Sequence, residues 1–194
     1  MTASNIRADL LGKRSSLSEN RVADSSNHVR EKILSLPVYK DSQIVGSYFG
    51  VRGEIDPSSL SSLPGPKHAF PIIKPDGKLS YLIPDDSIQV GPFGIPEPSS
   101  GLEVKPVELD LVLVPLVAAD LSGNRIGHGA GYYDKTFSFR TEQNTPLLIG
   151  LAHEFQIVSS IDPNSWDIPL DILITEEKIY QVGMNHIATS MGED

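Results

Sequence analysis

The hydrophobic positions divide the chain into two textures. Up to about residue 35 the apolar residues recur at helical spacing. Ile6, Leu10 and Leu17 share one face with Leu11 beside it, and Ser4 stands where a cap is expected. Ser15, Ser16 and Ser18 interrupt the pattern, and Ser18 followed by Glu19 predicts a fresh helix start. The second helix is expected to run to about Leu34, with Val22, Val29 and Ile33 inward, and to be stopped by Pro37. Arg7, Arg14 and Arg21 recur every seven residues, so a single continuous helix would carry them as one basic stripe.

Beyond residue 40 the apolar residues come in short runs bounded by turn residues: 43–49, 69–73, 79–83, 109–114, 146–151 and 171–175. Runs such as LVLV and LLIGL are apolar on both faces, which suits a central sheet covered by helices. Short helical stretches are expected at 57–63, 132–139 and 154–158. Strand–helix alternation predicts an α/β fold: a single three-layer domain over residues 1–194, its mostly parallel central sheet flanked by helices. The stretch 85–106, rich in Pro and Gly, reads as a long loop.

Composition narrows the chemistry. The 194 residues include 39% hydrophobic and 21% charged side chains, ordinary globular usage that argues against wholesale disorder. The absence of cysteine removes disulfides, thiolate zinc sites and a cysteine nucleophile. No segment reads as a signal peptide or membrane span, so a cytoplasmic location without membrane association is expected. The formal charge of −9 argues against a nucleic-acid surface. An acidic chain binds anions only where donors cluster locally.

The densest such cluster is the run LVLVPLVAADLSGNRIGHGAGYYD over residues 111–134. A buried strand ends at Pro115, a turn follows at 120–124, and Arg125 leads into Gly127, Gly129 and Gly131 before a helix opens at Tyr132. Alternate glycines let the backbone approach a ligand and point several N–H groups one way. The helix start behind them adds positive potential, and Arg125 adds a cation able to fork onto phosphate. A tight turn is the bland reading of the same glycines. The run lacks the G-K-[ST] of a Walker loop and the spacing of a dinucleotide fingerprint. One of Tyr132 and Tyr133 is expected in the core and the other in the cleft, with Tyr133 packing on Phe137. Asp134 reads equally as a first-turn carboxylate and as a magnesium ligand, with Asp162, Asp167 and Asp171 as possible partners. His128 reads as a solvated loop residue, or as a phosphate donor or acid–base group; no zinc spacing is present. Glu54 reads as solvent-facing, or as the acceptor for a ring bearing N–H donors with Phe49 as its apolar wall.

These residues resemble a known family. The run DLVLVPLVAADLSGNRIGHGAGYYDKTF is similar to the G-N-R-[LI]-G-x-G-x-G-Y-Y-D signature of the 5-formyltetrahydrofolate cyclo-ligases. The pattern IR…KR…LS-E-x-R, the stretches FGVRGEID and FGIPEP, and the ending SWDIPLDILIT agree in order, so the resemblance spans nearly the whole chain. It implies a cytoplasmic, monomeric enzyme of one-carbon metabolism acting on two small molecules, ATP and 5-formyltetrahydrofolate, with Mg2+. The substrate can be polyglutamylated, and neither nucleic acid nor membrane is a partner. The products are 5,10-methenyltetrahydrofolate, ADP and phosphate. The resemblance implies ATP contacts from Arg7, Arg125, Gly127, His128, Gly129, Ala130, Gly131, Tyr132 and Tyr133. It implies folate contacts from Phe49, Glu54, His128, Gly129, Ala130, Gly131 and Tyr132. Arg125 and Tyr132 become the catalytic candidates, and Asp134 and Asp167 the magnesium carboxylates. The chain departs from the pattern at Ala3, where a lysine is usual, at Ala130, often Lys or Gly, and at Ile72, often Arg, with Lys74 nearby. Two readings stay open beside it: a nucleotide- or folate-binding relative without turnover, and a sugar-phosphate isomerase or transferase using His128 as base.

Overall fold

The computed structural model describes residues 2–85, 87–141 and 144–182. The expected domain over 1–194 therefore extends into positions 183–194, which lie outside the described residues.

Two helices open the chain, α1 (Ala3–Ser15) and α2 (Glu19–Ser35). Thr2, not Ser4, caps α1, its side chain accepting from the Asn5 N–H. Ser18 caps α2 as expected, accepting from the Arg21 N–H. The break between them confines the basic stripe to Arg7 and Arg14, two turns apart on α1, while Arg21 goes to α2. Pro37 does not simply stop α2: after Leu36 it opens the short α3 (Pro37–Asp41), where a missing N–H leaves no helical bond unmade.

The strands in chain order are β1 (Ile44–Gly46), β2 (Lys67–Ile73), β3 (Leu79–Pro84), β4 (Ile88–Val90), β5 (Pro96–Pro98), β6 (Gly101–Val104), β7 (Leu111–Pro115), β8 (Ala118–Ala119), β9 (Arg125–Ile126), β10 (Leu147–Leu151), β11 (Ile172–Ile174) and β12 (Ile179–Gln181). Eight of them form one sheet in the order β12-β11-β10-β7-β1-β2-β3-β6. The five from β11 to β2 are parallel. The antiparallel partners β12, β3 and β6 flank them. The expected strand at 43–49 pairs only over Ile44–Gly46. Residues 85–106 are not a loop: β4 pairs with β5, and β6 extends the main sheet beside β3. Proline and glycine lower local strand propensity, but edge positions tolerate them. The helices expected at 57–63 and 154–158 are single 3-10 turns, Ser58–Ser62 and Glu154–Gln156. The helix expected over 132–139 is α4 (Tyr132–Thr136), followed by a 3-10 turn at Ser138–Thr141.

Alternation along β7 explains the layering. Leu111 and Leu113 join Val29 and Ile33 of α2 on one face, whereas Val112 and Val114 join Phe137, Leu148 and Tyr81 on the other. Val29 and Ile33 are almost wholly buried, which stabilises the fold by about 1.5–3 kcal/mol each. α1 lies elsewhere. Its Leu10, with Ile6 and Leu11, packs on Val117, Ala118 and Ile126 of the β8–β9 hairpin, beyond the carboxyl end of β7. That placement carries the α1 arginines to the edge where an open α/β sheet binds ligands. Among the described residues no helix is long and apolar enough to cross a membrane.

Candidate active site

The loops after β1, β7 and β10 meet at the carboxyl edge of the parallel strands. The loop after β7 is built on Asp120, a buried carboxylate. Its Oδ1 accepts from the Ser122 and Asn124 N–H groups, and its Oδ2 from Asn124 Nδ2 and the Ile161 N–H. Gly123 sits at φ 89°, and a Cβ there would lie 2.7 Å from the Leu170 carbonyl oxygen. The turn is thereby welded to residues 161–170.

Arg125 continues the weld. It donates from Nη1 to the Ile168 carbonyl and from Nη2 to Asp134 Oδ1, the latter at 2.7 Å. Asp134 Oδ1 also accepts from the Ile168 N–H at 3.0 Å. Asp167 is the neighbour of Ile168, but its Oδ2 is engaged with the Asn164 N–H at 2.8 Å. Asp171 lies at the entry to β11, where it pairs with Arg140 and accepts from the Leu148 N–H.

The glycine run divides by function. Gly127 and Gly129 have open space where a Cβ would stand, and Gly129 and Gly131 hold φ of 104° and 66°. Gly131 is the N-cap of α4, and Lys135 of that helix donates to the Ala130 carbonyl at 3.1 Å. Arg7 reaches the same loop from α1, donating from Nε to the Gly127 carbonyl at 2.9 Å. Tyr133 stacks on Phe137 at 6.2 Å between centroids, and burial raises its hydroxyl pKa. Tyr132 is half-buried and packs one side against the same core cluster.

His128 turns off the glycine loop toward the loop after β1. Its Nε2 lies 3.0 Å from Glu54 Oε1 and 3.3 Å from Arg14 Nη2. Arg14 is a donor only, so an Nε2–H given to Glu54 leaves the His128–Arg14 approach as a donor–donor contact, with Glu54 Oε1 as the acceptor the two share. Arg14 Nη2 lies 3.3 Å from the same Oε1. Glu54 is thus a buried carboxylate, not a solvent-facing one. Burial lowers the Arg14 pKa and Glu54 raises it again. A cleft of about 340 Å³ opens here, lined by Leu11, Gly12, Arg14, Ser15, Arg52 and His128. A wider groove of about 440 Å³ between α2 and residues 53–59 holds none of the sequence-assigned residues. Phe49 stacks on buried Phe70 with centroids 4.3 Å apart. Lys74 pairs with Glu103 at 3.3 Å, and Ala3 is exposed at the start of α1.

Comparison with known proteins decides the family. The model of the 5-formyltetrahydrofolate cyclo-ligase family matches residues 2–176. The chain belongs to that family. The 5-formyltetrahydrofolate cyclo-ligase of Haemophilus influenzae is 33% identical over 87% of this chain and 95% of its own length. That of Escherichia coli strain K12 is 27% identical over 87% and 97%. Among solved structures, the 5,10-methenyltetrahydrofolate synthetase of Aquifex aeolicus superposes with a TM-score of 0.82 at 34% identity, covering 94% of this chain and 93% of that one. The Mycoplasma pneumoniae synthetase, at 20% identity and a TM-score of 0.74 over 91% of this chain and all of its own, shares the fold.

Against this family the site gathers Arg7, Arg125, the 127–131 loop, Asp134 and Glu54 at one edge. Arg14 went unassigned in the sequence, although it belongs to the KR pair of the resembling pattern. The seven-residue spacing from Arg7 was the signal that could have found it.

Proposed function

We propose that the chain converts 5-formyltetrahydrofolate and ATP to 5,10-methenyltetrahydrofolate, ADP and phosphate at this edge. The observation that carries the reading is that one loop touches both halves of the site. Gly127 is bound by Arg7, and its neighbour His128 is bound by Glu54. Membership of the cyclo-ligase family supports the reaction and its ATP dependence.

On this reading the open backbone from Gly127 to Gly131, including Ala130, faces the ATP phosphates, with Arg7 beside it. Arg125 serves the nucleotide side by bracing the loop against Ile168 and Asp134. Glu54 accepts from the N–H donors of the pterin once His128 withdraws, with Phe49 and Tyr132 as apolar walls and Tyr133 behind them. The formyl oxygen attacks the γ-phosphorus and ADP leaves. N10 then attacks the activated formyl carbon and gives up its proton, and phosphate leaves as the ring closes. No protein nucleophile is needed; catalysis is positioning and charge stabilisation. Among the described residues no group of three His, Cys, Asp or Glu side chains converges to hold a metal. Asp134 and Asp167 would hold Mg2+ together with the phosphates, in keeping with the one or two carboxylates that magnesium takes beside a phosphate. The ion would supply charge neutralisation there.

The test is purified protein with Mg-ATP and 5-formyltetrahydrofolate, followed for the methenyl product. Turnover dependent on both is expected. Binding of either substrate without product would favour a relative lacking turnover, the reading that Ala3 motivates.

A further inference from the structure

Arg14 is 1% exposed and reaches two segments with three donor contacts, two on the 51–54 loop and one just after β7. Its Nε donates to the Arg52 carbonyl at 3.2 Å, its Nη1 to the Leu116 carbonyl at 3.2 Å, and its Nη2 lies 3.3 Å from Glu54 Oε1. The loop it grips is unusual. Arg52 holds φ at 52°, a left-handed value unfavourable for a residue with a Cβ. Gly53 follows at φ 78°, where an added Cβ would sit 2.9 Å from the Arg14 carbonyl. The Val51 N–H donates to Glu54 Oε2 at 3.2 Å, and His153 Nε2 lies 2.9 Å from the Gly53 carbonyl. Both carboxylate oxygens of Glu54 are thus aimed by the protein. Among the described partners Arg14 and Val51 are integral to the fold, whereas His128 is 44% exposed on a glycine-flanked loop and can be replaced.

We propose that Arg14 is a positioning residue for the folate half of the site, holding Glu54 and the strained 51–54 loop in the geometry that receives the pterin, while His128 occupies Glu54 until the ligand displaces it. The inference rests on the reading of Glu54 as the pterin-facing carboxylate. A buried arginine serving stability alone would not need to hold both the strained backbone and the carboxylate it presents. A forked guanidinium can do so because its donors are fixed in one plane, which a lysine cannot reproduce.

The test is Arg14→Lys, assayed for the KM of each substrate. The KM for 5-formyltetrahydrofolate is expected to rise about tenfold or more, the loss of one hydrogen bond to a charged group, with the KM for ATP unchanged. Introduced into Glu54→Gln, the same substitution should add no further folate defect, because Arg14 acts through Glu54. Equal rises in both KM values, or a fully additive double variant, would overturn the proposal. A measurement on the unmodified chain covers the case in which Arg14→Lys does not fold. Amide exchange at Val51 should slow with 5-formyltetrahydrofolate and not with a non-hydrolysable ATP analogue alone. Slowing by the nucleotide alone, or no response to bound folate, overturns it. Failure of folate to bind at all would remove the functional reading and this inference together; binding with the wrong partition removes the inference alone.

Discussion

Arg125 Nη2 and Asp134 Oδ1 lie 2.7 Å apart, joining the strand that enters the glycine loop to the helix that leaves it. Their side chains are only 6% and 21% exposed, so the pair braces the loop. Removing one partner of a buried pair is destabilising by about 3–5 kcal/mol, because the other charge is left uncompensated. Asp134→Asn is therefore expected to lower the thermal midpoint and turnover together, and to raise the magnesium concentration needed for half-maximal rate. A magnesium titration of the initial rate, run well below the melting range, separates the two effects. An unchanged metal response beside lowered stability would leave Asp134 as a brace alone.

The glycines of the loop are expected to separate in the same way. Gly123→Ala places a Cβ against the Leu170 carbonyl at positive φ, so it should destabilise the fold by about 1–2 kcal/mol or more. Gly127 has no positive φ and nothing within 4 Å of an added Cβ. Gly127→Ala should therefore keep the melting temperature and weaken binding of an ATP analogue, as calorimetry would show. Unaltered nucleotide affinity would place the phosphates elsewhere.

Arg7 tests the nucleotide side from the opposite direction. Its Nε bond to the Gly127 carbonyl is the contact by which α1 registers on the loop. Arg7→Ala should raise the KM for ATP about tenfold, in keeping with a charged hydrogen bond worth about 1.5–3 kcal/mol. The KM for 5-formyltetrahydrofolate should stay near the parent value. A defect confined to folate would contradict the arrangement.

His68, in β2, sets a pH limit on stability. It is buried beside the Tyr39 hydroxyl, 3.1 Å from its Nε2, and burial lowers its pKa from 6.5 to about 4. Between those values the unfolded chain takes a proton that the folded one refuses. The contribution is therefore fully present above about pH 6.5 and lost as pH falls through that window, about 3 kcal/mol in all. Burial lowers the His153 pKa as well, which acts in the same direction. Urea unfolding of the parent and of His68→Gln across the window checks this: the variant should show the flatter profile. Parallel profiles would assign the acid sensitivity to other groups.

The amino-acid sequence by itself determined what local rules can determine. Ser18 accepting a backbone N–H starts α2, and the doubly apolar LVLV and LLIGL runs become central parallel strands. The glycine–tyrosine run falls between a strand end and a helix start because each feature depends on near neighbours. Tertiary structure decided the rest, since those contacts join residues far apart in the chain. Strands β4 to β6 exist because partners across the sheet satisfy backbone groups that proline and glycine made unpromising. Arg125 became a brace because residues 161–170 return to meet it. Glu54 reads as a surface glutamate until α1 delivers Arg14, 40 residues earlier in the chain, and the glycine loop delivers His128, 74 residues later. A buried carboxylate is stable only where such partners converge, and spacing along a chain does not reveal that convergence.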